Sequence, residues 1–552
     1  MEENEKEGRE SLVKLENPEE IELENPNYTF PSKKLKIFLI SILLFLILFI
    51  IIFFFIYFLL RNKISKNDIT CELGEEEKCL TCHETKNECK SCNPGYLLIN
   101  GTCILNYSFK ATYQSNSPNE TIILFTNFLL EDINQMLIDG ENIIPINNYT
   151  FSLVGEHTIH FLTNLTDKYF YSLNRMFYEI RKLKSIKFTY LFDTKYVNNM
   201  ADMFNGCSSL TSINLFSFNT QSVTEMQNMF YGCSSLTFIN LSNFDTKNVE
   251  NMENLFKGCH LLTSIIISNF NTTLVKSMNN MFFDCYSLKL INISNFNTKN
   301  VEDMSSMFEN CSLLMSLDLK NFNTENVLYM EYMFSNCISL TTLDISNFKT
   351  ENVESISGLF YYCELLTSID VSNFNTNNVE DMIHTFEGLS LMRSINISNF
   401  DISNVNSMYS MFAECTSLEN IEFSKNKTKN LRSMGLMFKN CYKLKNIDIS
   451  NFDTQFVSSM YGLFFNCKSL TSLELSNLRT RNVLNMNYAF FGCSNLEFLD
   501  ITYFTGSNET MDIISMFDGV SNNGTIKTNS FYIKQINLEA MLPSGWNITI
   551  VY

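Results

Sequence analysis

Cysteine offers this chain its most obvious chemistry. Cys71, Cys79, Cys82, Cys89, Cys92 and Cys103 fall within 33 residues, and four of them form two Cys-x-x-Cys pairs. Thiolates at that spacing can hold zinc tetrahedrally. Only six residues separate the pairs, however, and Cys71 and Cys103 would be left over. An even count in a short segment beside an apolar anchor favours three disulfides, with fifteen pairings open. Eleven more cysteines keep a period of 26: Cys207, Cys233, Cys259, Cys285, Cys311, Cys337, Cys363, Cys415, Cys441, Cys467 and Cys493, with Leu389 in the one odd slot. An odd number cannot pair completely. These read as buried free thiols acting as small hydrophobes, with disulfides between coils as the alternative.

Carboxylates keep the same period. Asp318, Asp344, Asp370, Glu422, Asp448, Glu474 and Asp500 stand 26 residues apart or at a multiple of it, and Asn214, Asn240, Ile266, Asn292 and Asn396 fill the other slots. On one shared face, like charges about 4.8 Å apart should raise some pKa values or draw in cations. One carboxylate per repeat does not converge into a Ca²⁺ cage, so a basic protein segment is the better match. The alternative is an exposed position that simply tolerates Asn and Asp. His157 and His160 stand three apart in a strand-like stretch, point to opposite faces and should share no metal. The chain has no Gly-rich phosphate loop, no His-Glu-x-x-His and no Gly-x-Ser-x-Gly, and its five histidines suggest no base–nucleophile pair. We expect no catalysis, no cofactor and no metal. A formal net charge of −19 argues against nucleic acid, which needs clustered Lys and Arg to release counterions.

The elements that carry these residues follow from the period itself. Repeats of 26 without insertion from Cys207 to Cys493 mean stacked copies of one supersecondary unit. In the copy from Cys233 to Cys259, Leu236, Ile239 and Leu241 follow an L-x-x-I-x-L pattern. Ile239 and Leu241 point inward from a short parallel strand and Asn240 points out. From Val249 the spacing becomes three, three, one and three through Met252, Leu255, Phe256 and Cys259, the face of a helix of two to three turns. Thr246 and Asn248 would cap that helix. The expected fold is an α/β solenoid, a leucine-rich-repeat-like stack of about 12–13 strand–turn–helix coils with the strands on a concave face. Phe218, Phe244, Phe270, Phe296, Phe322, Phe348, Phe374, Phe400 and Phe452 should stack as a spine. The Asn before each, as in Asn243, Asn295, Asn347 and Asn399, can satisfy backbone groups of a neighbouring coil. Thr385, Leu389, Met392 and Asn426 break the pattern, through drift or a local bend. After Phe490 the register slips by one, with Met516 and Phe517 in the Met-Phe role, and Phe531, Ile533, Ile536, Leu538, Trp546 and Ile548 should seal the last coil.

Upstream, residues 37 to 60 form an apolar run of 24 in which only Ser41 and Tyr57 carry polar atoms. At about 1.5 Å per residue it reaches roughly 36 Å and can cross a bilayer. Residues 1 to 30 hold ten acidic and three basic side chains, with no basic n-region. We therefore expect a signal anchor with a cytoplasmic N-terminus and an extracellular C-terminus at the plasma membrane. Asn25, Pro26 and Tyr28 form an NPxY-like sorting motif that a cytoplasmic adaptor could read. Fourteen Asn-x-Ser/Thr sequons follow the run, with Asn119, Asn148, Asn240, Asn292, Asn396, Asn426 and Asn547 among the glycosylation candidates. Glycans on Asn240 or Asn292 would obstruct the strand face.

The expected organisation is a disordered tail (1–36), a transmembrane helix (37–60), a linker (61–70), a cysteine-rich module (71–105), a β-rich cap (106–173), the solenoid (174–519) and a C-terminal cap (520–552). Cys89-Lys-Ser-Cys92-Asn-Pro-Gly95-Tyr96 resembles the Cys-x-x-Cys-x-x-Gly-Tyr signature of furin-like, growth-factor-receptor-type cysteine repeats, over that module alone. The solenoid carries Cys-Ser-Ser-Leu-Thr-Ser-Ile-Asn-Leu at 207–215, Ser-Asn-Phe-Asn-Thr at 294–298 and Asn-Val-Glu-Asp-Met-Ser-Ser-Met-Phe at 300–308. It resembles leucine-rich repeats, and more narrowly the BspA-like leucine-rich repeat surface proteins with 26-residue repeats. That resemblance implies a surface recognition or adhesion protein that binds a protein or glycan and carries no catalytic residues. A structural surface coat, or an endocytic or signalling receptor working through Tyr28, are the other readings.

Overall fold

A computed structural model describes the backbone of residues 79–82, 89–92, 96–99, 102–105, 107–163, 170–505 and 511–551, with side chains from Tyr107 onward. The apolar run at 37–60, the motif at Asn25, Pro26 and Tyr28, and Cys71 lie outside the described residues. So do the side chains of Cys79, Cys82, Cys89, Cys92 and Cys103. No described helix is long and apolar enough to cross a membrane. In the cysteine-rich segment β1 (Cys79–Cys82) pairs with β2 (Cys89–Cys92), and β3 (Tyr96–Ile99) lies antiparallel to β4 (Thr102–Leu105).

Next come β5 (Phe109–Ser115), β6 (Glu120–Ile123), β7 (Ile133–Ile138), β8 (Glu141–Ile143), β9 (Asn148–Phe151) and β10 (Gly155–Thr163). The period of two along β5 buries Phe109, Ala111 and Tyr113 on one face. Antiparallel to β5 lies β11 (Leu183–Phe188), the first strand of the solenoid, which pairs in parallel with β12 (Ser212–Asn214). The resulting order β12-β11-β5-β10-β7-β8 covers the edge that a bare first coil would expose.

The solenoid has fourteen coils. A ladder of parallel bridges runs without a break from Ser172 through Asn199, Glu225 and Asn251 to Asn485 and Asp512. It lies in the segment where the apolar spacing suggests a helix, and no helix forms there. In one coil Met252, Asn254, Phe256 and Gly258 donate their N–H groups to Ser277, Asn279, Met281 and Phe283 of the next, at 3.0, 2.9, 3.0 and 2.8 Å. The residues between close tight turns, as in Leu255 N–H to Met252 and Cys259 N–H to Phe256. Two positions per coil are left-handed, at Asn254 (φ 52°) and Gly258 (φ 75°), and this recurs at Asn228 and Gly232 and at Asn280 and Asp284. An L-residue helix cannot pass through such positions at that frequency, whereas Asn and Gly adopt them at little cost. The expected helix is thus replaced by a hydrogen-bonded turn sheet, and the fold is a β-solenoid. Met252, Leu255, Phe256 and Cys259 still point inward, which is why the spacing imitates a helix.

On the other side of each coil, strands form where neighbours pair: β13 (Phe238–Asn240) with β14 (Ser264–Ile266), and β15 (Ser394–Ile397) with β16 (Asn420–Phe423). A final sheet joins β17 (Ser472–Glu474), β18 (Phe498–Asp500), β19 (Asn523–Thr528) and β20 (Gly545–Ile550). Between Ile266 and Ser394 no strand is assigned. Ring ladders measure the coil spacing on each side. On the turn side, stacked rings from Phe204 to Phe517 lie 5.3–6.1 Å apart. In the spine, Phe218–Phe244 and Phe374–Phe400 lie 6.4 and 6.3 Å apart. The stacked rings therefore lie closer together on the turn side than in the spine.

The pattern breaks are repaired locally. Leu389 and Met392 are fully buried, and the Thr385 hydroxyl donates to the carbonyl of Met382 at 2.9 Å. Asn426 leaves the spine for solvent, and Phe423, 5.3 Å from Phe452, supplies the missing ring. Phe490 stacks on Phe517 at 5.4 Å across the register slip. The last coil is closed by α1 (Ser530–Ile536) and α2 (Leu538–Met541), which bury Tyr532, Ile536 and Leu538. Trp546 is buried as well, but Phe531 is exposed and does not take part.

Candidate functional site

Three ladders of polar side chains fix the strand face. Asn243 donates its amide to the carbonyls of Leu215 and Phe218 in the preceding coil, at 3.1 and 3.0 Å, and Asn295, Asn347 and Asn399 repeat the contact. The Thr246 hydroxyl both donates to the carbonyl of Asn271 (2.9 Å) and accepts from its N–H (2.8 Å). It is therefore a bridge between coils rather than a helix cap, and the Asn248 amide likewise reaches back to the Gln221 carbonyl at 2.8 Å. The eleven repeat cysteines are free and buried. Each thiol donates to a Phe carbonyl of the preceding coil, as Cys259 does to Phe230 at 3.2 Å. Burial pushes these thiols up, to about 12 for Cys259, Cys363, Cys415 and Cys493, so at neutral pH they are inert hydrophobes.

The outward strand position has a local task. Asn240, Asp344, Asp370, Asp448 and Asp500 each accept through Oδ1 from the N–H two residues on, at 2.9–3.1 Å. This Asx turn redirects the backbone after the outward position and favours Asn and Asp there. It also overturns the expected pKa direction. The Lys320 ammonium, 3.0 Å away, holds the Asp318 carboxyl below its ordinary range. The hydroxyls of Ser346, Ser372 and Ser450, followed by their amides, do the same for Asp344, Asp370 and Asp448. Repulsion from Asp370 acts on Asp344 but is outweighed by hydrogen bonds to the charged form. Glu422 accepts from the Asn396 amide at 2.7 Å.

Two of the seven acids come together in a cleft. Where the strand ladder is interrupted, Leu317, Thr342, Leu343, Asp344, Ser368, Ile369 and Asp370 line a shallow, open hollow of about 430 Å³. Its floor is apolar and its rim carries two carboxylates. Asp318 belongs to the adjoining coil, while Glu422, Asp448, Glu474 and Asp500 lie outside the cleft. A larger hollow of about 590 Å³ lies at the other corner of the coils, lined by Glu250, Lys276, Glu302, Leu328 and several Asn. There Lys276 is already paired with Glu250 at 2.8 Å, and the Asn300, Asn326 and Asn352 amides are used between coils. The sequence reading missed the acids of the turn side. Burial pushes the Glu309 and Glu331 carboxyls up, with Asp284 and Asp303 adding repulsion respectively. Their signal was masked by the helical spacing.

His157 is buried against Asp139, 2.7 Å from its carboxylate, and His160 packs on Tyr107. Among the described residues no group of three or more His, Cys, Asp or Glu is placed to hold a metal. Asn119, Asn148, Asn240, Asn292, Asn396, Asn426 and Asn547 are all exposed. The outward strand positions of the cleft carry Asp, so sequons at Asn292 and Asn396 flank it without occupying it.

Coils joined by two kinds of ladder, with the chain's polar variety confined to outward positions, define a β-solenoid repeat protein. Overlapping matches to a family profile cover residues 161–238, 232–342, 278–389, 330–447, 362–473 and 433–542. They span well over half of the sequence, and the chain belongs to that family, described as Mycoplasma protein of unknown function, DUF285. None of the curated proteins matches it. The solved structures that resemble it include the TLR13–ssRNA13 complex, at 15% identity over 64% of this chain and 59% of that one, with a TM-score of 0.15. They also include the functional domain of InlJ from Listeria monocytogenes, which includes a cysteine ladder, at 14% identity over 64% of each chain and a TM-score of 0.16. This chain spans less than two thirds of either, and at these scores the likeness carries no argument about fold or function.

Proposed function

We propose that this chain is a single-pass, membrane-anchored surface recognition protein of the BspA-like leucine-rich-repeat kind. It is anchored through residues 37–60, with its N-terminus cytoplasmic and its solenoid extracellular at the plasma membrane. The solenoid binds a basic segment of an extracellular protein, without catalysis or cofactor. The observation that carries this reading is the cleft at Leu317, Leu343, Asp344, Ile369 and Asp370. An apolar floor with two carboxylates at its rim suits the aliphatic stems and charged ends of Lys and Arg. Hydrogen bonds from Ser346 and Ser372 hold both carboxyls below their ordinary range. The formal charge of −19 adds long-range attraction for such a partner.

The test uses the purified chain and an Arg- and Lys-rich peptide as probe. The triple variant D318K/D344K/D370K should abolish saturable binding measured by calorimetry, and unchanged binding would end the proposal. Protease added to intact cells should remove the solenoid and leave the segment ahead of residue 37. Digestion of that segment instead would overturn the topology.

A further inference from the structure

One exposed aromatic ring on the strand face has neither a ring nor a cation packed on it among the described residues, and it stands beside a sequon. In β13, Phe238 and Asn240 are exposed while Ile239 between them is buried. The period of two therefore puts the ring and the amide on one face, about 6.7 Å apart along the strand. Asn240-Leu241-Ser242 is an acceptor sequence. The Asn240 Oδ1 accepts from the Ser242 N–H at 3.0 Å, which turns the amide oxygen to the backbone and leaves Nδ2 facing outward. At Asn396, by contrast, Nδ2 is already donated to Glu422 at 2.7 Å.

Phe238 is 47% exposed. Its cross-strand partner is Ser264, and the same slot in the preceding coil is Ser212. Neither is large enough to cover the ring, and the diagonal Ile266 is itself 38% exposed. The one other Phe at this strand position, Phe498, sets the contrast. Its coil carries Asp500 in place of a sequon, and its ring is covered by the Lys527 ammonium at 5.0 Å. At Phe238, with the acceptor Asn two residues on, no such cation lies over the ring among the described residues.

We propose that Asn240 carries an N-linked glycan whose first N-acetylhexosamine folds back onto Phe238. A pyranose has one face of C–H groups. Laid on an aromatic face, it removes apolar surface from water on both sides and meets the electron-rich face of the ring with polarised C–H bonds. The modification exchanges the C1–O bond of a polyprenyl-diphosphate-linked sugar for a C1–N bond to Asn240 Nδ2. Polyprenyl diphosphate and the amide proton leave. The inference rests on the extracellular placement of the solenoid proposed above.

The full chain is expressed in cells with a secretory pathway, and each sequon is scored by peptide mass spectrometry. Asn240 should be occupied. Release of its glycan by an amidase under native conditions should be several-fold faster in F238S than in the parent, with no difference after denaturation. The F238W variant should keep the parent's slow release, which separates ring stacking from misfolding. If Asn119 or Asn148 is modified and Asn240 is bare, or if F238S releases its glycan at the parent's rate, the inference falls and the topology stands. If no sequon in the chain is modified, both fall.

Discussion

Alanine at Gly258 and Gly358 separates a turn sheet from a helix by the sign of its effect. In an exposed helix, Gly→Ala stabilises by about 1 kcal/mol. Here both glycines are left-handed, at φ +75° and +60°, where an L side chain costs about 1–2 kcal/mol. A Cβ on Gly258 would meet the Gly232 backbone at 3.4 Å and the His260 ring at 3.9 Å, both ordinary contacts, so Gly258→Ala should cost the backbone term alone. A Cβ on Gly358 would also run into the Tyr332 ring. Gly358→Ala should therefore lose more, and the double variant with Tyr332→Ala should recover the excess. Urea unfolding of the purified chain, with the midpoint shift read at constant slope, measures each. A higher midpoint for either alanine would show that the segment is helical and that the ladder described here is wrong.

Other consequences follow from single residues. Thr298→Val keeps the shape of a fully buried residue but removes a hydroxyl that donates to the Asn323 carbonyl and accepts from its N–H. It should cost about 1–3 kcal/mol in the same assay, and Thr298→Ser should cost less. Alkylation near pH 8 should leave the eleven repeat cysteines unmodified until denaturant is added, and fast native labelling would contradict their burial. Glu331 has a raised carboxyl pKa, so its contribution is fully present below the unfolded value and lost as pH rises through the folded one. Glu331→Gln should thus raise the midpoint at pH 7 relative to pH 4. The lowered carboxyls of Asp344, Asp370 and Asp448 act with the opposite sign, through stability that is present at neutral pH and fades as pH falls below about 4. Replacing the three with Asn should flatten that acid limb.

Periodicity carried much of the fold. The inward Cys, Phe and Leu, the Asn amides that reach the previous coil and the slip between Phe490 and Phe517 follow from it because each is repeated chemistry at a fixed offset. The helix was misread because Met252, Leu255, Phe256 and Cys259 satisfy a helical face and an inward-facing turn equally well. The discriminating signal was present in the Asn and Gly at 254 and 258, residues that tolerate positive φ. Spacing alone gives no weight to them. The acids of the strand face were visible as a column, but their hydrogen bonds to Ser346, Ser372 and Ser450 were not, so the expected pKa direction came out reversed.

The backbone conformation of the turn sheet is the claim on which the rest stands. Isotope labelling of asparagine in the purified chain allows the NMR couplings that report φ to be measured at Asn228, Asn254 and Asn280. The account predicts positive φ at all three, near the 57°, 52° and 53° of the structure. Negative, helical values at these residues would contradict it.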